Sequence, residues 1–388
     1  MPTKKTPIYL DYAAATPLDP VVLAAMEPYY ADYFYNPSAA YAAAQNVRKA
    51  LETARADAAH WLGAKPSEII FTAGGTESTN LAIHGVMRKY PKGNVIVSAI
   101  EHDAVLMPAQ AYDCRIVSVQ ADGRIDLKDL QAKIDDQTTL VSIGYANNEI
   151  GVVQPIREIS RLISEIRRKR QQAGNTTPIY FHTDACQAAN YLDLHVARLG
   201  VDLMSLDGSK IYGPKQTGCL YVRAGTVLEP LISGGHQEFG LRSGTENVAG
   251  DIGFAKALGL AQAMRKEESE RLQKLQTDFV KRLEASIPHV VINGSKKYRL
   301  PNNVHVTIPG QDNERLLFEL DEAGVQAAAG SACNASDTEA SHVLKALGLS
   351  ESTARASLRF AMGRGTTSDM ISRTMQLLQA AIQEKGVS

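Results

Sequence analysis

Through the first 250 residues, short apolar runs alternate with stretches of helical spacing. The runs at 68–72, 94–98, 115–119, 140–145, 179–182, 201–206 and 219–222 predict strands. The stretch 39–62 reads as an Ala-rich amphipathic helix closed by Gly63, with Ser38 of the turn Asn36-Pro37-Ser38 as its cap. Helical spacing recurs at 76–90, between the strands at 115–119 and 140–145, and at 156–170. Ile8-Tyr9-Leu10-Asp11-Tyr12 adds a short entry strand. Strands alternating with helices predict an α/β fold: a large domain with a mostly parallel central sheet flanked by helices.

After Gly250 the rhythm changes. One charged helical pattern covers 255–286, broken at most once, long enough to join two domains. A strand at 303–308, a helix at 312–323, a Gly/Ser/Ala segment around Cys333 and a helix from 367 to about 385 follow. The expected division is 15–260 for the large domain, and 1–14 with 261–388 for a smaller C-terminal αβ domain carrying the cysteine loop.

Composition narrows the function. The 388 residues are 44% hydrophobic and 21% charged, with a formal net charge of -1, as in a soluble globular protein. That charge gives no general attraction to nucleic acid or to an anionic membrane. The basic run Arg167-Arg168-Lys169-Arg170 closes a helical pattern and complements its C-terminus. No apolar run reaches membrane-spanning length, and Met1-Pro2-Thr3-Lys4-Lys5 is not followed by the apolar stretch of a signal peptide. Cys114, Cys186, Cys219 and Cys333 are too scattered for a disulfide framework or a metal site. No metal is therefore expected, and a reducing cytoplasm is the expected compartment.

The candidate chemistry lies at predicted strand ends. Asp184, in Phe181-His182-Thr183-Asp184-Ala185-Cys186-Gln187, is followed at the next strand end by Lys210, in Leu206-Asp207-Gly208-Ser209-Lys210-Ile211-Tyr212-Gly213-Pro214. Pyridoxal 5'-phosphate needs such a pair: an amine to hold its aldehyde as a Schiff base, and a carboxylate to keep the pyridine nitrogen protonated. Alone, the pair is a weak signal that equally describes a surface lysine and a capping aspartate. Other segments fit the same chemistry. Ala73-Gly74-Gly75-Thr76 ends a strand and opens a helix, so Gly75 and Thr76 either offer donors to a phosphate or form a plain capped turn. His102 either lies flat on a ring and moves protons or is structural. An amide from Asn147-Asn148-Glu149, or Gln187, either donates to a ring oxygen or caps a loop. The glycine-rich segment from Gly234 to Asn247 either closes over a ligand or packs against a partner subunit. Small and polar residues around Cys333 read as a mobile loop presenting a thiol, against the commoner buried, inert cysteine.

Together these segments resemble the cysteine desulfurases of the NifS/IscS type, pyridoxal-phosphate enzymes with an aminotransferase-like fold of type I. The resemblance runs from Ile8-Tyr9-Leu10-Asp11-Tyr12-Ala13-Ala14 to Leu358-Arg359-Phe360-Ala361-Met362-Gly363-Arg364, and is most specific at 147–151, 211–215, 242–248 and 330–333. It implies that Lys210 carries the cofactor, Asp184 pairs with the pyridine nitrogen, and His102 stacks on a ring flanked by Asn148 and Gln187. Gly75 and Thr76 would hold the phosphate, with Thr245 reaching it across a homodimer interface. Asn36 and Arg359 would hold the substrate carboxylate, and Cys333 would be the nucleophile. L-Cysteine would displace Lys210 and lose its Cα proton, with the ring as electron sink. Attack of the Cys333 thiolate on the substrate sulfur would then give L-alanine and a persulfide for a protein sulfur acceptor, serving iron–sulfur cluster assembly or tRNA thiolation.

The chain departs from the family pattern at three places. The usual Ser-Gly-His-Lys is Asp207-Gly208-Ser209-Lys210, where Asp207 is expected to bond Ser209 and turn from the phosphate, Ser209 supplying the hydroxyl. Tyr35 stands where glycine is common, and Tyr41 where histidine is usual. The C-terminal tail that IscS-type members use for a scaffold protein is expected to be absent. Two alternatives are a selenocysteine lyase and a catalytically weak relative acting as a sulfur-transfer partner. Retention of Lys210, Asp184, His102, Gln187 and Cys333 speaks against the second.

Overall fold

The computed structural model describes residues 7–330 and 341–383. The chain enters through β1 (Ile8–Tyr9) and then builds a seven-stranded sheet from β2 (Ile69–Thr72), β3 (Asn94–Ser98), β4 (Asp113–Val117), β5 (Thr138–Ser142), β6 (Tyr180–Asp184), β7 (Leu203–Asp207) and β8 (Gly218–Val222). Its order is β2-β8-β7-β6-β5-β3-β4. All pairings are parallel except those of β8, which is antiparallel to both β2 and β7. Strands β3, β5 and β8 are buried along their whole length, in keeping with the apolar residues they carry. The polar-tinged β4 is an edge strand and half exposed. Inside the sheet, His182 bridges three strands through Ser142 Oγ at 2.7 Å and Ser205 Oγ at 2.9 Å. Burial pushes its pKa down to about 3, so its imidazole stays neutral at pH 7.

A second sheet joins β9 (Val291–Ile292), β10 (Asn303–Thr307) and β12 (Ser357–Ala361) in the order β12-β10-β9, all antiparallel. Strand β11 (Val325–Gln326) pairs in parallel with β1. One unbroken 39-residue helix, Val248–Ser286, runs for ~58 Å past both sheets. Phe254, Leu258 and Ala261 pack into the apolar core of the first sheet, while Leu272, Phe279 and Leu283 pack into that of the second. No helix among the described residues is long and apolar enough to cross a membrane.

Some boundaries differ from the sequence expectation. The long helix starts at Ala42, capped by the Tyr41 backbone without a side-chain bond. Ser38 instead donates its N–H to Asn36 Oδ1 at 2.9 Å, a local turn that competes with a helical start. The run at 115–119 forms its strand two residues earlier, because Asp113 and Cys114 pair with Asn94 and Val95. The motif around Arg359 is a strand, β12, whose central arginine hides the apolar pattern.

Candidate active site

Five strand ends converge on one edge of the first sheet, the carboxyl edge where open α/β sheets place ligands. β2 ends at the turn leading to Gly75 and Thr76, β3 at Glu101 and His102, and β5 before Asn147 and Asn148. β6 ends on Asp184, and β7 on Asp207 and the short 3-10 turn Gly208–Lys210. Because β6 and β7 pair in parallel with Asp184 opposite Ser205, Asp184 and Lys210 open on the same side of the sheet and onto one cleft. They line this open cleft with Gly75, Thr76, His102, Asn148, Gln187 and Arg359.

Each group is held. Lys210 Nζ donates to the Ala14 carbonyl, and Asn190 donates to the Lys210 carbonyl at 2.6 Å. Asp184 Oδ1 accepts the Cys186 N–H at 2.9 Å. His102 caps the helix Asp103–Ala109: its Nδ1 accepts the Ala104 N–H at 3.0 Å, so a neutral ring carries its proton on Nε2. Gln187 is tied to the Ala13 carbonyl at 3.0 Å. Arg359 is 1% exposed, with Nη2 on Asp11 Oδ1 at 2.7 Å and Nη1 on the Asn148 carbonyl at 2.9 Å. Its Nε is buried with no acceptor among the described residues.

Three expected residues stand apart from the cleft lining. Asn36 is exposed and spends its side-chain oxygen on Ser38. Ser209 donates its hydroxyl to Asp207 Oδ1 at 2.6 Å, so the hydroxyl expected for a phosphate goes to a carboxylate. Thr245 is exposed in the glycine-rich loop. That loop is anchored by a buried ion pair, Glu238 with Arg55 at 2.6 Å, and the same carboxylate accepts the Phe71 N–H of β2 at 2.7 Å. Cys333 lies outside the described residues. Among the described residues, no three metal-capable side chains cluster.

Residues absent from the sequence expectation also shape the cleft. Asp11 fixes Arg359 although 348 positions separate them, a contact no local pattern encodes. Cys186 lines the cleft, and burial, with Asp184 and Asp207 nearby, pushes its thiol well above the usual range. Glu101 accepts from Ser98 Oγ at 2.5 Å and from the Gly144 N–H at 2.9 Å. Its adjacency to His102 was the available signal. Burial outweighs those hydrogen bonds, and with Asp184 nearby raises its pKa from 4.5 to about 7.

A raised carboxyl pKa makes the folded chain hold an extra proton between pH 4.5 and about 7, so stability falls as pH rises through that window. Glu101→Gln keeps the group neutral, and its amide can still accept from Gly144 and donate to Ser98. It should remove this loss, raising stability at pH 8 by at most about 3 kcal/mol and leaving pH 4 nearly unchanged. Denaturant midpoints of both proteins from pH 4 to 8 check this; parallel curves would refute it.

Comparisons with known proteins agree with this architecture. The family model Aminotransferase class-V matches residues 8–368. The chain is 42% identical over 387 residues to cysteine desulfurase IscS of Dictyoglomus turgidum, covering 98% of this chain and 95% of that one. It superposes on a solved NifS-like protein with a TM-score of 0.89 at 30% identity, covering 98% of this chain and all of the other. A structure of SspA in complex with cysteine matches with a TM-score of 0.79 at 38% identity, covering 92% and 98%. With matches of this depth along nearly its whole length, the chain belongs to the class-V aminotransferase family and, within it, to the cysteine desulfurases.

Proposed function

We propose that this chain uses pyridoxal 5'-phosphate to convert L-cysteine to L-alanine, leaving the sulfur as a persulfide on Cys333 for a protein acceptor. The observation that carries the reading is that Lys210 and Asp184 line one cleft, with a helix N-terminus at its end. The residues fit the cofactor. An amine, a carboxylate, and the N–H groups of Thr76 and Glu77, which have no acceptor among the described residues, face a common space or border it. The relatives' name and the cysteine bound to SspA support L-cysteine as substrate.

Pyridoxal phosphate, when bound, supplies an aldehyde for an amine and a ring that draws electrons from the substrate Cα. The rest is work for the chain's own groups. Lys210 Nζ would hold the aldehyde and, freed by the substrate amine, would move the Cα proton. Asp184 would hold a proton at the pyridine nitrogen. His102, pinned through Nδ1, would offer its ring face and an exchangeable proton at Nε2. Asn148 and Gln187 would flank the ring, and Gly75 and Thr76 would receive the phosphate. Arg359 receives the substrate carboxylate, its unpartnered Nε marking remaining donor capacity. Asn36 would join it from the loop preceding the helix Ala42–Leu62. The Cys333 thiolate bonds to the substrate sulfur as the C–S bond breaks. The electron pair stays with carbon, which takes a proton and becomes the alanine methyl group. A reducing cytoplasm suits a mechanism that needs this thiol free.

The division into 15–260 and 1–14 with 261–388 belongs to the same reading, supported by the separate apolar cores around the two sheets. So does a homodimer: Thr245 is exposed, on a loop anchored at Glu238, and free to serve a partner subunit's phosphate. One preparation tests activity and assembly. L-Cysteine should yield alanine and thiol-releasable sulfur mole for mole, and sedimentation should give twice the chain mass. Absence of alanine overturns the activity; a fully active monomer overturns the dimer.

A further inference from the structure

Asp207 stands at the place where a phosphate would be received. It caps the 3-10 turn Gly208–Lys210, its Oδ1 accepting the Ser209 N–H at 2.7 Å and the Ser209 hydroxyl at 2.6 Å. That oxygen alone suffices for a cap. The other, Oδ2, accepts the Gly75 N–H at 3.1 Å, the first donor of the helix Gly75–Lys89. The fit is close: a Cβ on Gly75 would lie 3.3 Å from Oδ2, and one on Gly74 3.4 Å. The N–H groups of Thr76 and Glu77 have no acceptor among the described residues, so the helix start is only partly satisfied. Nearby charges are of both signs. Asp184 adds a like charge across Cys186, Lys210 adds an opposite one while donating to the Ala14 carbonyl, and Arg242 is paired with Glu77 at 3.0 Å.

We propose, resting on the pyridoxal phosphate reading, that Asp207 is a resident anion of the phosphate cradle. A cofactor phosphate that takes the Gly75 N–H as well as those of Thr76 and Glu77 must displace Oδ2 from it. The consequence is a cofactor held weakly through its phosphate and exchanged with the surroundings, with the empty cradle kept in shape by the carboxylate.

The test compares pyridoxal phosphate with pyridoxal, which lacks the phosphate, on the full chain freed of cofactor, with binding followed by absorbance. Asp207→Ser keeps a capping side chain for the turn and removes the charge. It should tighten pyridoxal phosphate at least roughly fivefold (about 1 kcal/mol) and leave pyridoxal within about twofold. Asp207→Asn keeps the shape without the charge, and decides the matter should the serine variant fold poorly; it should tighten pyridoxal phosphate in the same selective way. Unchanged affinity in the folded variants overturns the inference, as does equal tightening of both ligands, which would locate the effect at the ring. A wild-type chain that binds neither ligand, and is indifferent to Lys210→Ala, overturns the cofactor reading itself and the inference with it.

Discussion

Cys333→Ser abolishes alanine release from L-cysteine, by roughly 10³-fold or more, while the protein still takes up pyridoxal phosphate and still changes its absorbance when L-cysteine is added. The reason is a division of labour. Lys210, Asp184 and Arg359 lie in the cleft; in the proposed mechanism they act on the substrate's amine, Cα and carboxylate, none of which needs a second sulfur. Removing sulfur from carbon does need a nucleophile that can bond to sulfur and carry it away. A thiolate does this well because thiols ionise near neutral pH, whereas a serine hydroxyl stays protonated and forms no stable bond to sulfur. Alanine measured over single and multiple turnovers, with mass spectrometry for an added sulfur atom, checks this. Normal alanine release by the serine variant would make Cys333 a packing residue.

Lys210→Ala lowers alanine formation by a comparable factor, roughly 10³-fold, and differs in what survives. The variant loses the covalent anchor, so its cofactor should leave on dialysis and the absorbance of the amine-bound form should be missing. Added primary amines should restore part of the cofactor spectrum without restoring turnover, because a diffusing amine is not positioned at the Cα proton. The geometry gives the reason. The 3-10 turn Gly208–Lys210, capped by Asp207 and bonded through Asn190, sets Lys210 in the cleft that Asp184 also lines. A variant retaining both cofactor and turnover would move the anchoring role elsewhere.

Much of the architecture is legible because local patterns and tertiary environment agree. Strands β3 and β8, buried along their whole length, carry short apolar runs, Val95–Val97 and Cys219–Val222. Gly63, left-handed at φ 64°, ends the helix Ala42–Leu62 where a glycine was expected to. Asp184, Lys210, His102, Gly75 and Thr76 were recognisable because each follows a strand, and parallel strands bring their carboxyl ends to one edge. Residue type and position relative to an element therefore located most of the candidate site without a contact map.

What needed the tertiary structure were contacts between distant segments and choices among donors. Arg359 is held by Asp11 across 348 positions, and the strand that carries it is disguised by its own buried charge. Glu101 has its pKa raised to about 7 by burial, which no neighbour in sequence announces. Asp207 was expected to bond Ser209, and it does, yet its second oxygen takes the Gly75 N–H across 132 positions. The chemical type of each side chain, and the element it follows, are properties of the local chain. Which donor meets which acceptor depends on how separate elements pack, because hydrogen-bond competition is decided in three dimensions and at ångström distances.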